Sequence, residues 1–172
     1  SFPEALWKSI SELGVLGLAT PGGEGGALEL VAALEPLGEA AFPGPLLAAS
    51  FAAQLTRDDE RAAIARGARV ASVGAHGLFP FAERAELFFE VDGERVYRVE
   101  PDSRPERISM LGGEHWGRMR CRRVAEIAEP ALAFALHDLA LAALHASLGI
   151  ALVRATAEHA RVRKQFGRAL GD

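Results

Sequence analysis

The residues best suited to chemistry lie at the end of the chain, in the run Ala155-Thr-Ala-Glu-His-Ala-Arg-Val-Arg-Lys-Gln-Phe-Gly167. Arg161, Arg163 and Lys164 crowd the last turns of a helical pattern, and Gln165, Phe166 and Gly167 follow. A planar guanidinium forks onto two phosphate oxygens, an amide adds hydrogen bonds, and an aromatic face covers a planar ring. Arg163, Gln165 and Phe166 therefore form a candidate clamp for a ring-bearing diphosphate. Basic residues also complement the negative end of a helix dipole, and that simpler reading needs no ligand.

Other chemistry-bearing residues make weaker patterns. Thr20 to Gly26 is rich in glycine, but it has neither a GxxxxGK(S/T) pattern nor a strand–GxGxxG–helix setting, so a plain turn is the simpler reading. His76, His115, His137, His145 and His159 show no metal-ligand spacing, and no metal site is expected. Arg118, Arg120 and Arg122 alternate as on a solvated edge strand, with Arg123 adjoining. Contact with a ligand phosphate or a partner acid is their alternative. Trp116 reads as an anchor of a β module, or else as an interface aromatic.

These residues need elements to hold them. A short helix over 3–13 would turn Leu6, Ile10 and Leu13 to one face. Ala27 to Gly38 is a second helix, with Leu28, Val31, Leu34 and Leu37 recurring and Pro36 expected to kink its end. Leu46 to Leu55 is nearly all apolar and reads as a helix buried on most sides. Thr56 is expected to cap the next helix, which carries Asp58 and Asp59 in its first turn. From Arg69 the pattern becomes β-like, and Asp92-Gly93 between two such runs signals a hairpin. Pro130 then opens a long helix with the stripe Leu132, Leu136, Leu139, Ala143, Ala146, Ile150, Val153, Ala157 and Ala160. The fold class is α+β: an N-terminal helical domain at 1–67, a small antiparallel β module at 68–126, and at 127–172 the first long helix of an incomplete helical bundle.

Bulk composition narrows the function classes. The 172 residues are 49% apolar, enough for a substantial core, and the net charge of -4 argues against a nucleic-acid coat. Cys121 is the single cysteine, so a reducing, cytoplasmic setting is expected. Ser1-Phe2-Pro3-Glu4 does not resemble a signal peptide. Leu139 to Val153 reads as a buried helix, too short and too polar for a membrane span.

The R-x-Q-F-G run at the end of an Ala-rich helix resembles the acyl-CoA dehydrogenase family of flavoproteins. Leu6-Trp7 with Ser11-Glu12-Leu13-Gly14-Val15-Leu16-Gly17-Leu18-Ala19-Thr20-Pro21 is similar to that family's N-terminal signature, as is Val31 to Leu47. The resemblance implies FAD shared across a subunit interface, with Arg163 at the pyrophosphate and Gln165 and Phe166 lining the same site. It implies α,β-dehydrogenation of an acyl-CoA thioester by an oligomer, in which a carboxylate removes the α proton and hydride passes to flavin. The catalytic residue is unassigned: the usual Glu would lie beyond Asp172, and the register of an alternative base falls on His137, beside Asp138. Gly77 to Phe81 stands near the family's aromatic-x-(S/T) segment but has no hydroxyl, and His159 replaces a usual tyrosine. A truncated or degenerate subunit of a homo- or hetero-oligomer is therefore expected, with activity belonging to the assembly. A non-catalytic partner that stabilises a related dehydrogenase chain is the alternative.

Overall fold

The computed structural model describes residues 2–110, 115–165, 168–169 and 171. Four helices come first: α1 (Glu4–Glu12), α2 (Ala27–Glu39), α3 (Leu46–Leu55) and α4 (Asp58–Ala65). Then come β1 (Ala71–Gly74), β2 (Leu78–Pro80), β3 (Leu87–Asp92), β4 (Arg95–Pro101), β5 (Glu106–Ser109), β6 (His115–Arg118) and β7 (Cys121–Glu126). The long helix α5 (Ala131–Val162) follows, and a ribbon of β8 (Lys164–Gln165) and β9 (Arg168–Ala169) ends the described chain. This is the α+β order read from the sequence.

The β region is two small sheets, ordered β1-β3-β4-β7 and β2-β6-β5. It is not wholly antiparallel as expected: β1 pairs with β3 in parallel, Ala71 opposite Leu87. Parallel neighbours need a long connection, and β2 with the turn after it supplies one. The Asp92-Gly93 hairpin forms as read, with Asp92 opposite Arg95 and Gly93 at φ 63°. Strand β3 sends Leu87 and Phe89 to a core shared with the helices and Phe88 to a second core between the sheets. There Phe88 meets Phe79 edge to face, ring centroids 5.6 Å apart.

The helical layer has α3 at its centre, where Leu46, Ala49, Phe51, Ala52 and Ala53 are all buried. Thr56 does not cap α4; its hydroxyl donates back to Ala52 O at 3.0 Å and closes α3. Arg61 braces that corner, donating to Ala53 O at 3.0 Å and to Thr56 O at 2.6 Å. The inward faces of two helices also differ from the reading above. In α1 Trp7 and Ile10 are buried while Leu6 is exposed, as is Leu13 just past its end. In α2 the buried row is Leu30, Leu34 and Gly38, Leu28 is 82% exposed, and the helix runs through Pro36 to Glu39.

Helix α5 packs on α2 and α3 through Ala133, Leu136, Ala140 and Ser147. It approaches α2 closely: a Cβ added at Gly38 would lie 2.6 Å from Leu144 O. Most of the stripe read from the sequence points away from this contact, and Leu132, Leu139, Ile150 and Val153 are between 40% and 70% exposed. The helix is thus not buried as expected, and at 32 residues it is long and apolar enough to cross a membrane by length and composition.

Candidate functional site

The basic end of α5 leaves the helix in an extended conformation at Arg163, φ -76° and ψ 121°, whose N–H donates to His159 O at 2.9 Å. Lys164 then pairs with Ala169, and Gln165 with Arg168. Gly171 N–H donates to Ala160 O at 3.1 Å, folding the ribbon back on the helix. Arg161, Arg163, Lys164, Gln165 and Arg168 are all exposed. Among the described residues, none of these cations has a carboxylate partner; the ion pair nearest in sequence is Arg154 with Glu39 at 3.3 Å. Uncompensated guanidinium groups at a helix end suit a diphosphate. Arg163 and Gln165 stand two residues apart where the chain leaves α5; Phe166 lies outside the described residues.

A cleft of about 540 Å³ lies where helices meet the first strands of the β region. The Phe42–Pro45 corner, the start of α3, the end of β2 and the inner half of α5 form its walls. Among the described residues its lining is apolar apart from His137 and His145. His137 is held edge-on to Phe51 at 5.9 Å and lies 3.2 Å from Asp138 through Nδ1. The nearby Ser72 is fully buried and its hydroxyl donates to Pro80 O at 2.6 Å, so it is turned away from any ligand. Its polar side chains are thus two imidazoles.

A second cleft, about 390 Å³, is lined by Phe2, Phe81, Glu83, Arg84, Arg107 and His115. Arg84 is matched by Glu4 at 3.0 Å and Glu86 at 3.3 Å, and lies 5.4 Å from the Phe2 ring centroid. Arg107 donates to the His115 imidazole. Sequence patterns missed this cleft because its residues come from the segment before α1, a turn and two strands, with no spacing to link them.

Three other candidates are structural. Arg123 bonds Glu90 at 2.7 Å and Asp92 at 3.0 Å over the Tyr97 ring, and these hydrogen bonds, to Glu90 first, raise its pKa. Arg122 bonds Glu100 at 2.6 Å. The glycine-rich loop is a plain turn closed on α2: Glu29 accepts from Gly26 N–H at 2.7 Å, and backbone hydrogen bonds lower its pKa. Gln54 donates to Ala19 O at 2.7 Å and pins its start. Trp116 is half-buried on β6 opposite Pro80, within the β module. No cluster of three or more His, Cys, Asp or Glu able to hold a metal occurs among the described residues.

No family model matches the sequence, and no curated protein matches it. Solved structures do. The steroid ACAD Tcur3481-Tcur3483, an acyl-CoA dehydrogenase with a double name, superposes with a TM-score of 0.72 at 21% identity over 99% of this chain and 61% of that one. A glutaryl-CoA dehydrogenase from Mycobacterium smegmatis in complex with FADH2 gives 0.66 at 15% identity over 98% and 60%. PigA with FAD and proline gives 0.62 at 16% over 97% and 62%. The chain spans about six tenths of the length of these proteins and has the fold of the acyl-CoA dehydrogenases over that span.

Proposed function

We propose that this chain is a subunit of an FAD-dependent acyl-CoA dehydrogenase assembly and holds the adenine-diphosphate half of a flavin shared with a partner chain. The observation that carries the reading is the cationic ribbon at the end of α5, exposed and without carboxylate partners among the described residues. Arg163 would fork onto the diphosphate and Gln165 would donate beside it. The long apolar cleft would take the acyl group and exclude water from it. A bound flavin would supply the hydride acceptor for α,β-dehydrogenation. His137 and His145 are the titratable side chains in the cleft lining among the described residues, so we assign the carboxylate base and the ring contacts to residues other than these. The double-named steroid ACAD among the structural matches supports a heteromer.

The test is co-purification of the chain with a second dehydrogenase-like chain and measurement of bound flavin by absorbance. Arg163→Ala is expected to lower FAD retention, with Arg163→Lys intermediate. Unchanged flavin content in both variants leaves these residues as a dipole cap alone. A second reading, a non-catalytic subunit that only stabilises its partner, is favoured by the apolar outer face of α5. It predicts a colourless chain and partner flavin content unaffected by Arg163→Ala.

A further inference from the structure

The outer face of α5 is a regular seam. Leu132, Leu139 and Val153 stand at whole heptad intervals, and Ala135, Ala142 and Gly149 follow the same interval three places on. All six are exposed, the large ones by 40% to 70%. Apolar positions at this spacing are the mark of a helix that winds against another. The chain's own packing uses a different face, that of Ala133, Leu136, Ala140 and Ser147.

Two features of the seam say what covers it. The first is shape. One set of positions is large and the other small, so the seam complements itself when a second α5 runs the opposite way. With Leu144 of each copy level at a two-fold axis, Leu139 faces Gly149 of the second copy, and Val153 faces its Ala135. A glycine inside a helix costs about 1 kcal/mol against alanine. Gly38 has a reason for it in Leu144 O, whereas a Cβ at Gly149 would meet nothing within 4 Å. A second helix backbone would fill that space.

The second feature is charge. Before Ser147 the carboxylates of this stretch are Glu129 and Asp138, with no Lys or Arg among them. After it come Arg154, Arg161, Arg163 and Lys164, with Glu158 the one acid. Parallel helices would set like charge against like. The antiparallel arrangement brings Glu129 level with Arg161 of the second copy and Asp138 within about one turn of its Arg154. Such exposed pairs choose direction more than they add strength.

We infer that two copies of this chain associate through the outer faces of their α5 helices, packed closely and antiparallel about a two-fold axis near Leu144. Such an interface is isologous, each contact occurring twice. Arg163 and Gln165 lie outside the seam and stay open to a ligand, so the pairing does not depend on the flavin reading.

Sedimentation equilibrium of the chain tests it. The wild type is expected to dimerise, and Gly149→Leu to weaken the dimer by about tenfold or more. That variant should keep its helical circular dichroism, since a Cβ there meets nothing in its own chain. Direction is read by a nitroxide on Ala135→Cys in a Cys121→Ser background. Antiparallel helices set the two labels about 27 Å apart along the axis, whereas parallel ones leave them about 10 Å apart. A monomeric wild type, a dimer indifferent to Gly149→Leu, or the short label distance each overturns the inference. So does a seam whose amides gain protection only when a second dehydrogenase-like chain is added, which makes that chain the occupant. Flavin retention in Arg163→Ala is measured separately, so either reading can fail alone.

Discussion

Ser72 illustrates how a single buried hydroxyl ties two strands together. It is fully buried, and its hydroxyl goes to Pro80 O. Ser72→Ala leaves that carbonyl without its donor and is expected to cost about 1–3 kcal/mol in chemical denaturation. Gly38 sets the spacing of α2 and α5. Gly38→Ala would put a methyl 2.6 Å from Leu144 O, a backbone atom that can move only with its helix. We expect about 1–3 kcal/mol of destabilisation and reduced binding in the apolar cleft, whose wall this contact forms. Cys121 is half-buried, and burial, then Glu90 and Asp102, push its thiol pKa up. The folded thiol keeps its proton at pH values where an unfolded one loses it, so stability falls as pH rises past the unfolded thiol's pKa. Alkylation of Cys121 at pH 8 should be slower in the folded chain than after denaturation. At this scale the basic run at 161–164 was legible because its residues are adjacent in sequence. Arg107 and Phe81 were not, because their meaning comes from residues far away in the chain.

Among the elements, the hairpin at Asp92-Gly93 and the long helix could be read directly, since local turn chemistry and sustained periodicity specify them. The inward faces of α1 and α2 could not. Both carry apolar residues on more than one face, so periodicity alone did not distinguish buried Leu30 and Leu34 from exposed Leu28. The α3 core is the firmest element: Phe51 is 2% exposed and stacks edge to face on Phe134 at 5.3 Å. Phe51→Ala is expected to cost about 3–5 kcal/mol, measured by the urea midpoint. The start of α2 depends on pH instead. The Glu29 pKa is lowered in the fold, so its contribution is present above the unfolded carboxylate's pKa and is lost as pH falls through the folded value. Glu29→Gln should flatten the acid limb of the stability profile. The parallel pairing of β1 with β3 escaped sequence reading because it joins residues across another strand and a turn.

At the scale of the molecule, helices lie on one side of the first sheet and the second sheet on the other. Ion pairs tie the layers: Glu60 of α4 accepts from Arg98 of β4 at 2.9 Å and from Arg69 at 3.4 Å, and Arg98 also sits over the Phe89 ring at 5.1 Å. The succession of helical and β-like patterns foretold the α+β class, but not how its parts enclose the clefts, which depends on contacts distant in sequence. The burial of α5 has a mechanical consequence. Its fully buried positions stop at Ser147, and beyond it the helix runs about 22 Å to the ribbon. That half is a cantilever, moored at its root and braced part-way by Arg154 and Glu39. A cantilever sets reach as well as stiffness: it carries the ribbon's charge to a fixed distance from the body, where another chain can meet it. Amide exchange should therefore be faster after Ser147 than before it in the separate chain. Slowing of that exchange would report when the beam gains its second support.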